Sequence, residues 1–374
     1  MQVRLSFLAV VGFAVIAPSV ETEISLKGAF RDSFLIGAAL KESQCSETSS
    51  AGILIKTQFN SISPENLLKW DAVHSRLDQY RFDAADRYVE FGQRNGMFIV
   101  GHTLIWHSQT ADWVFKDSAG HPVDRETLLQ RMRDHIYTVV GRYKNRVKGW
   151  DVVNEALADN GTLRDTPWRR IIGDDYIEKA FQFAHEADPA AQLYYNDYGI
   201  ESGSKREGAL TLLRRLKTAR IPVTAVGIQG HLSLNWPPVQ TLSDAITAFE
   251  NLGLKVMITE LDVNVLPSRS HSVDADVNRR EEVDPALNPY TEGLPEEMQQ
   301  KLARRYAELF VTFLKHQGTL TRVTFWGVTD GDSWLNYFPI AGRTNHPLLF
   351  DRAGHPKPAY QAVINAAKTE NGNR

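Results

Sequence analysis

From about residue 33 onward, short apolar or β-branched runs alternate with segments of helical periodicity, and this rhythm limits the possible folds more than any other feature. The strand candidates are Phe34–Ala38, Phe59–Ser63, Phe98–Leu104, Val147–Asn154, Gln192–Asn196, Ala225–Gln229, Lys255–Val263 and Arg322–Val328. Between and after them, helices are expected at Ser49–Thr57, Asp83–Asn95, Arg125–Tyr143, Asp174–Asp188, Ser202–Ala219, Leu242–Asn251, Pro295–His316 and Lys357–Lys368. In Arg125–Tyr143, Leu128, Met132, Ile136 and Val139 recur at three- and four-residue spacing, the single apolar stripe of a helix packed on one side. Strand and helix in alternation imply a parallel sheet, because parallel neighbours need a crossover between them. About eight such units in 374 residues predict an α/β fold, a (β/α)8 TIM barrel, with a doubly wound open sheet as the alternative. The 43% hydrophobic content is ample for the core of such a barrel. No Ser/Thr/Pro-rich linker marks a second module, so residues 24–374 are assigned to one barrel domain. The longest irregular stretch, Leu266 to Leu294, follows the seventh strand candidate and includes Arg279-Arg280-Glu281-Glu282. Its mixed charge reads as a solvated face, and its length as a wall beside a site.

Arg4, the apolar run Leu5 to Ala17 and the polar Glu21-Thr22-Glu23 have the layout of a secretory signal peptide, assigned to residues 1–19. The run is short for a bilayer span, and a first buried helix or strand is the other reading. The expectation is therefore a secreted chain, extracellular or periplasmic, with no membrane span, working as a monomer. With 42 basic and 45 acidic side chains the net charge is -3, which offers no positive field for a nucleic acid backbone. Cys45 is the only cysteine, so an intrachain disulfide and a cysteine-only metal cluster are both excluded.

In such a barrel the chemistry sits at the C-terminal strand ends. Two apolar strands carry a glutamate there: Trp150-Asp151-Val152-Val153-Asn154-Glu155 and Val256-Met257-Ile258-Thr259-Glu260-Leu261-Asp262. Either residue alone is more often a salt-bridged strand end. Together they form the pair of carboxylates that cleavage of a glycosidic bond requires, one to protonate the leaving oxygen and one to attack or support the anomeric carbon.

The segments Trp150 to Ala156, Ile258 to Asp262 and Gly101-His102-Thr103-Leu104-Ile105-Trp106-His107-Ser108-Gln109 resemble the signatures of glycoside hydrolase family 10, the xylanase family. Phe59 to Asn66 with Lys69-Trp70, Gln229-Gly230-His231, Trp326-Gly327-Val328, Asp332-Ser333-Trp334 and Pro347 to Asp351 are similar to further family segments, so the likeness covers nearly everything after the export segment. The resemblance implies an endo-β-1,4-xylanase acting on xylan and xylo-oligosaccharides with retention, without metal or cofactor. Glu155 would be the general acid/base and Glu260 the nucleophile. Glu155 must start protonated, its pKa raised by the second carboxylate and by partial burial, whereas Glu260 must stay ionised. His231 would hydrogen-bond Glu260 and be oriented by Asp262, while Asn154 and Gln229 would serve the sugar 2-hydroxyl beside the nucleophile. The family pattern places Glu65, Asn66, Lys69, His102 and Trp106 around the glycone sugars, Trp326 and Trp334 as floor and side wall, and Tyr198 on the leaving-group side. His107 is read as structural. Thr110 stands where some members carry a second glutamine, which bears on a distal glycone subsite. Two other functions compete: an inactive polysaccharide-binding barrel, disfavoured by the presence of both carboxylates and their support, and a β-1,4-glucanase.

Overall fold

The structure, a computed structural model, describes residues 24–268 and 280–372. The expected export segment and the middle of the Leu266 to Leu294 stretch lie outside the described residues. Among the described residues, nine parallel strands form the sheet: β1 Leu35–Leu40, β2 Ser61–Pro64, β3 Phe98–Ile105, β4 Gly149–Asn154, β5 Gln192–Asp197, β6 Ala225–Ile228, β7 His231–Ser233, β8 Lys255–Asn264 and β9 Leu320–Phe325. Each of β1 to β5 pairs with its successor, β6 pairs with β8, and β8 with β9. Closure comes from β9 against β1, with Leu35 opposite Arg322 and Ala38 opposite Phe325. A closed parallel cycle decides for the (β/α)8 barrel over the open sheet.

The outer helices form where the periodicity placed them. The helix Arg125–Arg142 starts at Asp124, whose carboxylate accepts from the Thr127 amide at 2.8 Å and satisfies one of its unpaired first-turn donors. Leu128, Met132, Ile136 and Val139 are fully buried beneath it, each contributing about 1.5–3 kcal/mol at most for leaving water. Short helices at Leu26–Ala29, Trp70–Val73 and Pro167–Ile172 have no counterpart among the expected elements, being too brief to show a period. No described helix is long and apolar enough to cross a membrane.

Two strands depart from expectation in ways that shape the site. The sixth barrel strand is split at Gln229-Gly230 into β6 and β7, both parallel to β8. Gly230 has φ +80°, a left-handed conformation that a side chain disfavours, and it redirects the chain so that His231 lies opposite Asp262. The last strand ends at Phe325, not Val328, so Trp326 stands just past the strand. Packing between β3 and β4 needs a bare backbone at Gly101, because a Cβ there would lie 2.1 Å from the fully buried Trp150 ring.

Candidate active site

Glu155 follows the last residue of β4 with φ +55°. Left-handed backbone in a residue with a side chain costs roughly 1–3 kcal/mol, so its surroundings must enforce it. One enforcing contact is visible: the Glu155 amide donates to the Asn196 carbonyl on β5 at 2.9 Å. Glu260 instead sits within β8, where the register against β9 shifts between Ile258 and Leu261, and its amide donates to the Gln229 carbonyl at 2.7 Å. Both expected carboxylates thus reach the same end of the barrel.

Their partners differ. Glu155 accepts from Trp106 Nε1 at 2.8 Å and from Gln229 Nε2 at 2.9 Å. Burial nevertheless raises its pKa, helped by the negative charge of Asp197 and then of Glu260, against the pull of those two hydrogen bonds. The sequence pointed only to burial and the second carboxylate; Asp197 outranks Glu260 as the charged neighbour. Burial also opposes ionisation of Glu260, but there the hydrogen bond from His231, the charges of His102 and His231 and the Asn196 amide prevail and hold its pKa below the usual value. His231 Nε2 lies 3.2 Å from Glu260 Oε2, and its Nδ1 lies 3.1 Å from Asp262 Oδ2. Burial alone would discharge this imidazole, yet Asp262 and Glu260 together push its pKa up to about 10. Trp334 Nε1 donates to the same Asp262 oxygen at 2.8 Å, so the expected side wall is anchored to the group that orients His231.

A polar chain joins the two glutamates. Gln229 Nε2 reaches Glu155 and, at 3.5 Å, Asn154 Oδ1; Asn196 Nδ2 donates to Asn154 Oδ1 and to Glu260 Oε1, both at 2.8 Å. Asn154 uses its oxygen in this chain, and its amide nitrogen has no acceptor among the described residues, in keeping with donation to a ligand. Thr259 Oγ1 donates to Asn196 Oδ1 at 2.6 Å and fixes which way that amide points.

The residues expected around the glycone also converge. Lys69 Nζ donates to Asn66 Oδ1 and Gln109 Oε1, both at 2.9 Å, and lies 4.7 Å from the Trp106 ring centre. Burial lowers the Lys69 pKa against the attraction of Glu260, Glu65 and Glu155. Glu65 pairs with Lys41 at 3.7 Å. His102 Nδ1 donates to Asp151 Oδ2 at 2.9 Å, and its ring meets Trp326 edge-on at 5.4 Å. Thr110 turns back on its own loop, donating to the Trp106 and Ser108 carbonyls. A cavity of about 730 Å³ is lined by Tyr198, Lys205, Trp236, Asp262, Trp334 and Phe338 among others. Leu266, Pro267 and Tyr290 also line it, so the described ends of the long stretch after β8 do form a wall.

Sequence reasoning missed Asn196, Asp197 and Lys205. A signal existed for the first two: Asn196-Asp197 closes the apolar strand Leu193 to Tyr195, as Glu155 follows β4. Lys205 had none, because a lysine in the first turn of a helix reads as solvated.

The model of the family described as "Glycosyl hydrolase family 10" matches residues 25–366. The chain is 41% identical over 351 residues to "Endo-1,4-beta-xylanase A" of Xylanibacter ruminicola, covering 93% of this chain and 95% of that protein. It is 41% identical over 342 residues to "Beta-1,4-xylanase" of Dictyoglomus thermophilum, covering 91% and 90%. Among solved structures, an endoxylanase retrieved from sugarcane soil metagenome superposes with a TM-score of 0.88 at 43% identity, over 91% of this chain and 99% of that one.

Proposed function

The chain belongs to glycosyl hydrolase family 10, and from that premise we propose that it hydrolyses internal β-1,4-xylosidic linkages of xylan with retention, through a covalent glycosyl-enzyme intermediate. The observation that carries this reading is a pair of buried glutamates in one cleft with different partners: Glu155 accepts from the neutral Trp106 and Gln229 and is displaced toward the acid by burial and Asp197, whereas Glu260 meets His231 and Asn196 and is held toward the carboxylate. Pairs of titratable groups whose surroundings push them apart mark the acid and its ionised partner.

In the first step Glu155 gives its proton to the glycosidic oxygen while a Glu260 oxygen bonds the anomeric carbon and the bond to the leaving chain breaks. In the second, ionised Glu155 takes a proton from water, the water oxygen bonds the anomeric carbon, and the bond to Glu260 breaks. Charge builds on the sugar in both transition states, and a hydrogen bond from Asn154 to the 2-hydroxyl strengthens as it does so. His231, protonated throughout the neutral range, supports Glu260 as a leaving group in the second step by stabilising its returning charge. Trp334, tied to Asp262, supplies a wall against which the hydroxymethyl group of glucose would clash, and xylose lacks that group.

Purified protein given β-1,4-xylan and β-1,4-glucan separately, with fresh products followed by proton NMR, tests the whole reading. Short β-anomeric xylo-oligosaccharides from xylan alone are expected. Initial α-anomers would make Glu260 an inverting base, and release from glucan at a similar rate would remove the role given to Trp334. We propose in addition that residues 1–19 direct export and that the enzyme works as a monomer; N-terminal sequencing of secreted protein and light scattering test these two points.

A further inference from the structure

Asp197 is a fully buried carboxylate at the end of β5. It accepts from Tyr195 OH at 2.5 Å and from the Tyr198 amide at 2.9 Å, and it pairs with Lys205 Nζ at 2.9 Å. Lys205, in the first turn of the helix Gly203–Thr218, is itself only 4% exposed, although it borders the 730 Å³ cavity. Its Nζ lies 3.1 Å from the centre of the Tyr198 ring and 3.9 Å from Asp159 Oδ1. Strand pairing sets the acid/base next to this pair, since the Glu155 amide is bonded to the carbonyl of Asn196, the residue before Asp197. Arg164 adds a second link: Nε donates to the Glu155 carbonyl at 3.3 Å and Nη2 to Tyr198 OH at 2.9 Å.

Other titratable groups surround it. The segment after β4 contributes Glu155, Asp159 and Arg164, and β5 with its following loop contributes Tyr195, Tyr198 and Glu201. Tyr176 approaches from the helix Tyr176–Ala187. Across the barrel stand Glu260 on β8, His231 on β7 and Lys69. An ion pair this deep is expensive to bury and is weak evidence of stability for its own sake.

We propose that the Asp197–Lys205 pair is a positioning device for proton delivery: Lys205 keeps Asp197 ionised despite its burial, and Asp197 keeps Glu155 protonated until the leaving group takes the proton. The inference rests on the reading of Glu155 as acid/base. An ionised Asp197 disfavours ionisation of Glu155; without Lys205 the two carboxylates share one proton, which then belongs to the pair, sits partly on Asp197 and leaves at higher pH.

The test is the pH dependence of kcat/KM for the full chain on xylohexaose and on an aryl xylobioside with a leaving group so activated that it needs no proton. Asp197→Asn lowers the alkaline limb on xylohexaose by about one pH unit, and Lys205→Met raises it by about as much. Lys205→Arg keeps the parent limb. Should Lys205→Met not fold, the downward move of Asp197→Asn and its reversal in the double variant, which lacks both charges, carry the test. If the parent has the same alkaline limb on both substrates, the assignment of Glu155 itself fails. If the parent limb is confined to xylohexaose, yet the folded variants leave it in place or move it in one direction, the pair is structural and only this inference is overturned.

Discussion

Replacing His231 with asparagine removes the group that keeps Glu260 ionised, and the consequence has a calculable size. The hydrogen bond that disappears spans 3.2 Å between a protonated imidazole and a carboxylate, in side chains only 9% and 7% exposed. Hydrogen bonds to charged groups contribute about 1.5–3 kcal/mol. One pKa unit corresponds to about 1.4 kcal/mol, so Glu260 should rise by about one to two units. The donation from Asn196 Nδ2 remains and prevents a larger change. With Glu260 as the carboxylate of the proposed mechanism, activity appears as pH rises through its pKa, and the acid limb of kcat/KM should move up by the same one to two units. The alkaline limb, set by Glu155, should stay. Initial rates on xylohexaose across the pH range give both limbs, and circular dichroism shows whether the variant is folded. A folded His231→Asn protein with the parent acid limb would refute the claim that His231 holds Glu260 down.

Three further outcomes are expected. Glu155→Ala should lower kcat/KM on xylan by about 10²–10⁴-fold while leaving formation of the intermediate from activated aryl xylobiosides nearly intact; equal loss on both in single-turnover measurements would remove Glu155 as the acid. Gly101→Ala should destabilise the barrel by about 1–3 kcal/mol or more, since the added carbon lands on an enclosed Trp150 ring, and an unchanged urea midpoint would show that β3 and β4 pack more loosely. His231, whose pKa rises from 6.5 to about 10 on folding, contributes stability that is complete below about pH 6.5 and lost as pH climbs toward 10; denaturant titrations should show that decline in the parent and a smaller one in His231→Asn.

The barrel was legible because its strands are buried on both faces and therefore read as unbroken apolar runs, as in Val256 to Ile258, while its helices bury a single stripe. What the sequence hid depends on contacts between distant segments. The break at Gly230 follows from where His231 must meet Asp262 across β8, and no local pattern carries that requirement. Trp326 lay inside the last strand by its apolar character, yet β9 ends one residue earlier, with the Trp326 amide bonded instead to the Leu261 carbonyl on β8. The same division holds in the site. Glu155, Glu260, Asn154 and His231 are legible as candidates because each sits in a motif on a barrel strand, Asn154 and Glu155 at the end of β4, His231 at the start of β7 and Glu260 within β8. Lys205 was hidden because its burial is created by Tyr198 and Asp197, neither of which is near it on a helical face.

Burial does not explain why the pKa values of two glutamates in one cleft are pushed in opposite directions. Glu155 and Glu260 are 7% and 5% exposed, so desolvation penalises ionisation of both to a similar degree. The difference lies in which charges the backbone brings to each. Glu260 lies on a strand whose neighbour β7 carries His231, so its nearest charged partner is a cation held by Asp262. Glu155 leaves β4 by a left-handed turn toward β5, where the charge that most raises its pKa is the carboxylate of Asp197, and its own side-chain hydrogen bonds come from the neutral donors Trp106 and Gln229. Under the proposed mechanism strand order thus accounts for the roles: the barrel position beside an imidazole is the one proposed as carboxylate, and the position beside a second acid the one proposed as acid. Exchanging the two side chains would change nothing, since both are glutamate, whereas moving one charge, by Asp197→Asn or His231→Asn, shifts one limb of the pH profile and leaves the other.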